Sequence, residues 1–429
     1  MYAQDAKLAS DSYYAATATP LPEQPSLQSN VRADVCVVGA GLAGLSAALE
    51  LADMGYKVVV LEGRRIAWGA SGRNGGQAIA GYACEQAPLE KQLGLADAKK
   101  AFNLTLEGLD LMRARIKKHQ IACDWTDGYM TVSVKPESTP ELLDSVAYMR
   151  DTYDYPHLQA ISPQELPQWL ASKRYHGGVL DHNSAHLHPL KYALGLAQAA
   201  LDAGVTIYEH SEVTELMHGE PATVKTAHGQ VTASFVVLAG NVYLDKTVKK
   251  LAGRVMPVGT YIITTEQLDK TTANALIKNR VAVSDNNFVL DYFRVTPDDR
   301  MLFGGRVSYS GATPSNLKNA MQRTMLRAFP QLSHAKIEHC WGGFVDITAN
   351  RAPDFNRLAP NVYYLQGFSG HGLILTNIAG KLAAQAIAGQ AERFDMMAKI
   401  KHHPFPGGRM LRTPALVLAM AYYRLRDYL

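Results

Sequence analysis

The stretch Val35-Cys36-Val37-Val38-Gly39-Ala40-Gly41-Leu42-Ala43-Gly44, answered by Glu62, decides the fold. Ala33 to Val38 reads as an apolar strand, Leu42 to Met54 as a helix, and Lys57 to Leu61 as a second strand ending at an acid. Strand, glycine turn, helix and strand make a dinucleotide-binding βαβ unit. Gly39 permits the tight turn, Gly41 lets the backbone approach a pyrophosphate, and Gly44 lets the helix pack close to the strand. The helix N-terminus presents N–H donors and the positive end of its dipole to the phosphates. Glu62 follows at the distance expected of a carboxylate that grips ribose hydroxyls.

Downstream of this unit the βαβ alternation stops and later returns. Leu89 to Gln120 is a long helical pattern, Trp125 to Val134 a strand, and Pro140 to Tyr153 and Pro163 to Ala171 are helical again, all of it inserted material. From His188-Pro189 the doubly wound pattern resumes. Leu190 to Ala203 is amphipathic, Val205 to Tyr208 and Val213 to Met217 are strands, and Thr223 to Thr226 pairs with Val231 to Leu238 across a turn at His228-Gly229. The run Phe235 to Leu238 stops at Ala239-Gly240, the carboxyl end of a strand, where doubly wound sheets bind ligands. Val255 to Lys336 is strand-rich with one helix, Leu317 to Ala328, and is a second insertion. The cofactor domain is expected to resume at Ile337, with a strand Asn361 to Leu365, a turn Gly367-Phe368-Ser369-Gly370-His371-Gly372 and a helix from Leu373 to Gly389.

The composition narrows the function classes. The chain has 429 residues, 47% hydrophobic and 19% charged, long enough for two structural units. A net charge of +4 without a dense basic run argues little for nucleic acid, and none is expected as a partner. Cys36, Cys84, Cys123 and Cys340 show neither C-x-x-C spacing nor a disulfide framework. His182, His186 and His188 have no converging cysteine or carboxylate set, so no metal is expected. No signal peptide is read at the N-terminus, and Ala415 to Tyr423 is too short to span a bilayer. A cytoplasmic, reducing location is the expectation, with an oligomer allowed.

One glycine fingerprint with an acid fits NAD or FAD. The late glycine turn favours FAD, because it puts a second helix N-terminus in the site, where N–H groups and the dipole stabilise the charge of a reduced flavin. Ser71-Gly72-Arg73-Asn74-Gly75-Gly76-Gln77 is a third glycine-rich piece, suited to packing against a polar heterocycle and phosphates. The fold class is therefore α/β, α+β overall: a Rossmann-like FAD-binding domain, discontinuous in sequence, with an inserted antiparallel-sheet substrate domain. The boundaries are an N-terminal arm at 1–30, the FAD-binding domain at 31–90, 175–250 and 337–395, the substrate domain at 91–174 and 251–336, and a tail at 396–429.

The three turns, in order with Val236-Val237-Leu238-Ala239-Gly240-Asn241, resemble the glycine oxidase and D-amino-acid oxidase superfamily of FAD enzymes. Ser12-Tyr13-Tyr14 in the arm, Leu180-Asp181-His182, His186-Leu187-His188-Pro189, Leu290-Asp291-Tyr292-Phe293-Arg294, His403 to Arg409, Ala421-Tyr422-Tyr423 and Leu425-Arg426-Asp427 are similar to its gamma-glutamyl-polyamine-oxidising branch, nearly end to end. The resemblance implies oxidation of the terminal amine of a gamma-glutamyl-polyamine to an aldehyde in polyamine catabolism. Ammonia and hydrogen peroxide are the by-products, with molecular oxygen as the electron acceptor. It also implies that Gly39, Gly41, Leu42, Ala43, Gly44, Glu62, Gly63 and Arg64 hold the ADP half, and that Ser71, Arg73, Asn74, Gly75, Gly76 and Gln77 lie along the pyrophosphate and flavin. Ala239 and Gly240 border the cofactor, Val213 meets adenine through its backbone, and Gly370, His371, Gly372 and Leu373 lie at the pyrimidine edge. A glycine-, sarcosine- or D-amino-acid-type oxidase or dehydrogenase is the other reading, and it demands a fixed carboxylate clamp.

Hydride transfer to a flavin needs positioning and desolvation more than acid–base groups. His371 is a flavin contact or a general base. Tyr292 and Arg294 line the substrate pocket, with Arg294 on a substrate carboxylate, or are a packed Tyr and a surface Arg. Trp341 walls the active site or belongs to the core. Cys340 lies where some relatives attach flavin covalently, but its surroundings carry no such signature, so non-covalent FAD is expected.

Overall fold

The structure is a computed structural model and describes residues 2–9, 11–245, 247–308 and 316–405. The tail motifs beyond Phe405 lie outside the described residues. Six helices matter for the site: α1 (Tyr2–Ala9), α2 (Tyr13–Thr17), α3 (Leu42–Asp53), α4 (Leu95–Lys118), α5 (Pro189–Asp202) and α6 (Gly372–Ile387). The early strands are β1 (Asn30–Val38), β2 (Val58–Leu61), β3 (Gln77–Ala78), β4 (Thr126–Val132), β5 (Leu158–Ile161), β6 (Gly178–His186), β7 (Thr206–Tyr208), β8 (Glu215–Met217), β9 (Ala222–Lys225) and β10 (Gln230–Leu238). The later ones are β11 (Val255–Thr265), β12 (Ala282–Asp285), β13 (Tyr292–Val295), β14 (Met301–Ser308), β15 (Ile337–Thr348), β16 (Asp354–Ala359) and β17 (Val362–Gln366).

The first sheet runs β16-β17-β10-β1-β2-β7, with β8 and β9 appended to β10. From β17 to β7 the strands are parallel, and β16 returns antiparallel at the edge. Val35 to Val38 face Val58 to Leu61 on one side and Phe235 to Leu238 on the other, so β1 is central and carries apolar residues toward both faces. Val35 and Val37 join the larger core under α3, α4, α5 and α6, while Cys36 and Val38 point into a smaller cluster on the opposite face. After β1 the chain first builds β2 on one side and only later β10 on the other. The strand order therefore reverses at β1, and reversal opens a crevice at the strand carboxyl ends.

The second sheet runs β15-β11-β14-β13-β12-β4-β6-β3, with β5 on β6. It departs from the expected antiparallel sheet at one seam. β4 and β12 pair parallel, because there the two inserted pieces meet without a direct connection. The boundaries also shift. Ile337 to Thr348 was expected in the cofactor domain, yet β15 pairs along nearly its whole length with β11, from Val255–Thr348 to Thr265–Ile337. The chain re-enters the first sheet only at Asp354. Likewise β3 and β6, expected in the cofactor domain, lie in the second sheet. Pro163 to Ala171 forms a single 3-10 turn at Leu166–Gln168 rather than a helix. Among the described residues no helix is long and apolar enough to cross a membrane.

Candidate functional site: a dinucleotide cleft facing a sheet junction

The crevice at β1 and β10 is a cleft partly open to solvent. Gly39, Gly41, Glu62, Gly63, Ser71, Val213, Ala239 and Gly240 line it, together with Trp68 and Tyr243. The glycines are required by contact geometry. Gly39 has φ +104°, and a Cβ there would sit 2.8 Å from the Ala239 carbonyl oxygen. A Cβ on Gly44 would lie 1.9 Å from the Gly39 oxygen. On Gly41 it would lie 2.9 Å from Ser71 Oγ. That hydroxyl accepts the Leu42 N–H at 2.9 Å, and the helical ladder begins with Leu45 N–H on the Gly41 carbonyl at 2.9 Å. The N–H groups of Ala43 and Gly44 fall before that ladder, at the positive end of α3.

Glu62 accepts the Ala40 N–H on one oxygen and the Arg64 N–H on the other, each at 2.8 Å. Its rotamer is thereby set, and each oxygen keeps a lone pair for a further donor such as a ribose hydroxyl. Burial pushes this carboxyl above the usual range, against the pull of those N–H groups. The glycine cradle, the helix N-terminus and the carboxylate together fit the ADP half of FAD.

The Ser71–Gln77 loop is pinned between the two sheets. Asn74 donates to the Ala70 and Ser71 carbonyls at 3.0 Å each and accepts the Gly76 N–H at 2.8 Å. Gln77 donates to the Val283 carbonyl at 3.2 Å. Gly75 lies flat under Tyr292, where a Cβ would meet the ring at 2.7 Å, and on Gly76 it would meet the Leu187 oxygen at 2.1 Å. Arg73 leaves the loop toward the arm. Its guanidinium pairs bidentately with the buried Asp5 of α1 at 2.7 and 3.0 Å, donates to the Gly342 carbonyl at 3.1 Å, and stacks over Trp68 at 4.6 Å. Tyr243 donates to the same Asp5.

The residues expected at the flavin and substrate divide. Trp341 is fully buried, its indole N–H on the Arg73 carbonyl at 3.1 Å and its ring edge-on to Tyr14 at 5.3 Å. Arg294 requires a correction on one point: it is not a surface residue. It is buried, and it donates to the Gly75 carbonyl at 3.2 Å, the Leu187 carbonyl at 3.1 Å and Tyr14 Oη at 3.2 Å, so its fork clamps the glycine loop to the arm and to the entry of α5. Tyr292 packs in the same aromatic cluster. His371 precedes α6, with Nε2 3.1 Å from the Ile79 carbonyl oxygen, and burial lowers its pKa to about 4, which keeps the ring neutral at neutral pH. Gly370 has φ +82° and no atom within 4 Å of a Cβ position, an open face beside the α6 N-terminus. The three histidines go separate ways. His182 meets Gln159, His186 meets the Arg280 carbonyl, and His188 caps α5 by accepting the Lys191 N–H at 3.2 Å. Cys340 packs toward the core of the second sheet, whereas its neighbour Trp341 faces the arm.

Sequence reasoning missed three contributors. Asp346 accepts the Gly367 N–H, and its carbonyl accepts the Ser369 N–H at 2.9 Å, so it shapes the late glycine turn. Its signal was an acid inside the apolar run Phe344 to Ile347. Asp5 and Tyr243 gave no signal, since Asp5, the partner that Tyr243 shares with Arg73, is remote in sequence from both.

Comparison with known proteins agrees with this geometry. A family model described as FAD dependent oxidoreductase (DAO) matches residues 34–386. The chain belongs to the DAO family of FAD dependent oxidoreductases. FAD is its cofactor, and the enzyme acts as an oxidoreductase. The chain is 44% identical over 97% of its length to gamma-glutamylputrescine oxidoreductase of Escherichia coli K12, covering 98% of that protein. It is 40% identical over 94% of its length to "Probable oxidoreductase OrdL" of Haemophilus influenzae, covering 94% of it. Among solved structures, glycine oxidase from Geobacillus kaustophilus superposes with a TM-score of 0.71 at 19% identity, over 84% of this chain and 96% of that one.

Proposed function

We propose that this FAD-dependent oxidoreductase oxidises the terminal amine of a gamma-glutamyl-polyamine, gamma-glutamylputrescine being the type substrate. The observation that carries the reading is the 44% identity to the Escherichia coli gamma-glutamylputrescine oxidoreductase over 97% of this chain. The substrate's terminal C–H and N–H hydrogens leave as a hydride and a proton, giving an imine. Water adds to the imine and ammonia departs, leaving an aldehyde. Molecular oxygen takes up the two electrons and two protons as hydrogen peroxide. FAD, when bound, supplies the two-electron acceptor for the hydride. The protein's own contribution is a shaped junction. Asn74 and Arg294 hold the Ser71–Gln77 loop, Asp346 holds the late turn, and the α6 N-terminus brings a positive dipole end to the site. His371, neutral and engaged with the Ile79 carbonyl, orients the turn. The four free cysteines support placing this chemistry in the reducing cytoplasm.

The test is anaerobic mixing of purified holoenzyme with gamma-glutamylputrescine. Bleaching of the flavin absorbance, reversed by air with stoichiometric peroxide, is the expected result. Bleaching by glycine, sarcosine or a D-amino acid instead, with gamma-glutamylputrescine inert, overturns the substrate assignment.

A further inference from the structure

A gamma-linked glutamyl group leaves its α-carboxylate free, at the opposite end of the molecule from the amine that is oxidised. An enzyme that selects such a substrate needs a cation well away from the reacting carbon but within the same cavity. Two obvious cations are already committed. Arg73 is paired with Asp5, and Arg294 donates to two carbonyls and Tyr14.

Arg351 is different. It sits in the short connection between β15 and β16, half-buried, with φ +59°, a left-handed conformation that a long side chain rarely adopts. That conformation is held locally. The Arg351 N–H reaches the Thr348 carbonyl at 3.1 Å, Asn350 Oδ1 accepts the Ala352 N–H at 3.2 Å, and Thr348 Oγ1 donates to the Ala352 carbonyl at 2.7 Å. Strain that is held in place is a mark of functional loops. Among the described residues no carboxylate pairs with the Arg351 guanidinium. Its guanidinium lies over the ring of Phe288, 5.4 Å away, at the exposed tip of the hairpin between β12 and β13. This contact joins the connection between the two sheets to a hairpin of the second.

The loop also adjoins the late glycine turn. The Thr348 N–H meets Ser369 Oγ at 3.3 Å, and a Cβ on Gly367 would strike Thr348 Cγ2 at 2.5 Å. The Arg351 charge reaches His371 in that turn and Cys84, acting to lower the pKa of each.

We infer that Arg351, steadied by Phe288, is the specificity residue that binds the α-carboxylate of the gamma-glutamyl group, and that it does so across the junction of the two sheets. The inference rests on the gamma-glutamyl-polyamine reading above. The guanidinium then forms a charge-assisted, bidentate contact with the carboxylate while the amine end extends inward past the late turn. Arg351 plays no part in bond breaking, so its removal acts on binding alone.

The experiment compares Arg351→Ala and Arg351→Lys holoenzymes with wild type on two substrates: gamma-glutamylputrescine, and N-butyrylputrescine, which keeps the amide and amine but lacks the α-carboxylate. Arg351→Ala is expected to raise KM for gamma-glutamylputrescine roughly 10- to 100-fold, the range of a lost charged hydrogen bond, with kcat little changed. On N-butyrylputrescine wild type and variant should be alike. Arg351→Lys should recover part of the loss, since a point charge replaces a fork. Equal FAD absorbance and melting temperature across the variants exclude a folding effect. An Arg351→Ala enzyme that is unchanged on both substrates, or impaired equally on both, overturns the inference and leaves the proposed function standing. A wild-type enzyme inert to gamma-glutamylputrescine overturns the proposed function itself.

Discussion

Replacing Gly44 by alanine tests the cofactor cleft at its narrowest point. The added Cβ would lie 1.9 Å from the Gly39 carbonyl oxygen, where real Cβ contacts are essentially never under 3.0 Å. The start of α3 must therefore withdraw from β1 by the difference, 3.0 − 1.9 = 1.1 Å. A hydrogen bond near 2.9 Å stretched by that much is lost. If the α3 N-terminus supplies two charge-assisted N–H bonds to the phosphates, their combined loss of about 3 kcal/mol corresponds to roughly a 100-fold weaker FAD complex. Gly41→Ala should cost less, about 10-fold, because its 2.9 Å clash is with the movable Ser71 hydroxyl and only the Leu42–Ser71 bond is at risk. Gly253→Ala is the control, since its φ is −79° and the nearest atom to a Cβ is 3.8 Å away. The assay is FAD titration of deflavinated protein by flavin fluorescence quenching, with far-ultraviolet circular dichroism confirming the fold. A Gly44→Ala protein that is fully folded and binds FAD as tightly as the Gly253→Ala control refutes the argument.

Other consequences concern charge. Asp5→Ala strands the Arg73 guanidinium without its carboxylate. It should lower stability by about 3 kcal/mol, up to the docking energy of α1, in a thermal melt, whereas Asp5→Ala with Arg73→Met should recover part of that. His188 has its folded pKa depressed to about 3, below the unfolded value of 6.5, so the unfolded state binds more protons between those values and stability falls as pH drops from 6.5 toward 3. His188→Asn, which keeps a capping acceptor, should flatten that acid limb in melts from pH 4 to 7. Asp346 has the opposite sign. Its folded pKa is raised to about 7 from 3.8, so the folded state holds the extra proton and stability is lost as pH rises from 4 through 7. Asp346→Asn should remove that loss, and a variant whose melting curve keeps the wild-type slope over this range counts against the burial argument.

The parts of this molecule that were legible in its sequence are those in which neighbours along the chain are also neighbours in space. The β1 turn, α3, β2 and Glu62 lie in one contiguous unit, and the structure places the Glu62 carboxylate on the Ala40 N–H across that same turn. The late turn and α6 were legible for the same reason. What stayed hidden depends on partners chosen at long range. The pattern of Ile337 to Thr348 says strand but not which sheet, and its assignment follows from pairing with β11 rather than from anything within the strand. Arg294 shows a charge between Phe293 and Val295, but not that its fork would be spent on carbonyls at Gly75 and Leu187. Asp5 sits in a polar arm whose composition suggests solvent, yet it is fully buried by an arginine contributed from the glycine loop.

The arm has a consequence for how the chain is made. Tyr14 is held by Arg294, 280 positions later, and Asp11 accepts the N–H of Cys340, 329 positions later. Although Arg73, the partner of Asp5, follows only 68 positions later, part of the arm's docking surface is missing until almost the whole polypeptide has been synthesised. Such a segment completes its docking late, closing over the sheet junction after the nucleotide-binding unit has begun to form behind it. An amino-terminal fusion partner bears on that final step, whereas slow translation of the early codons does not.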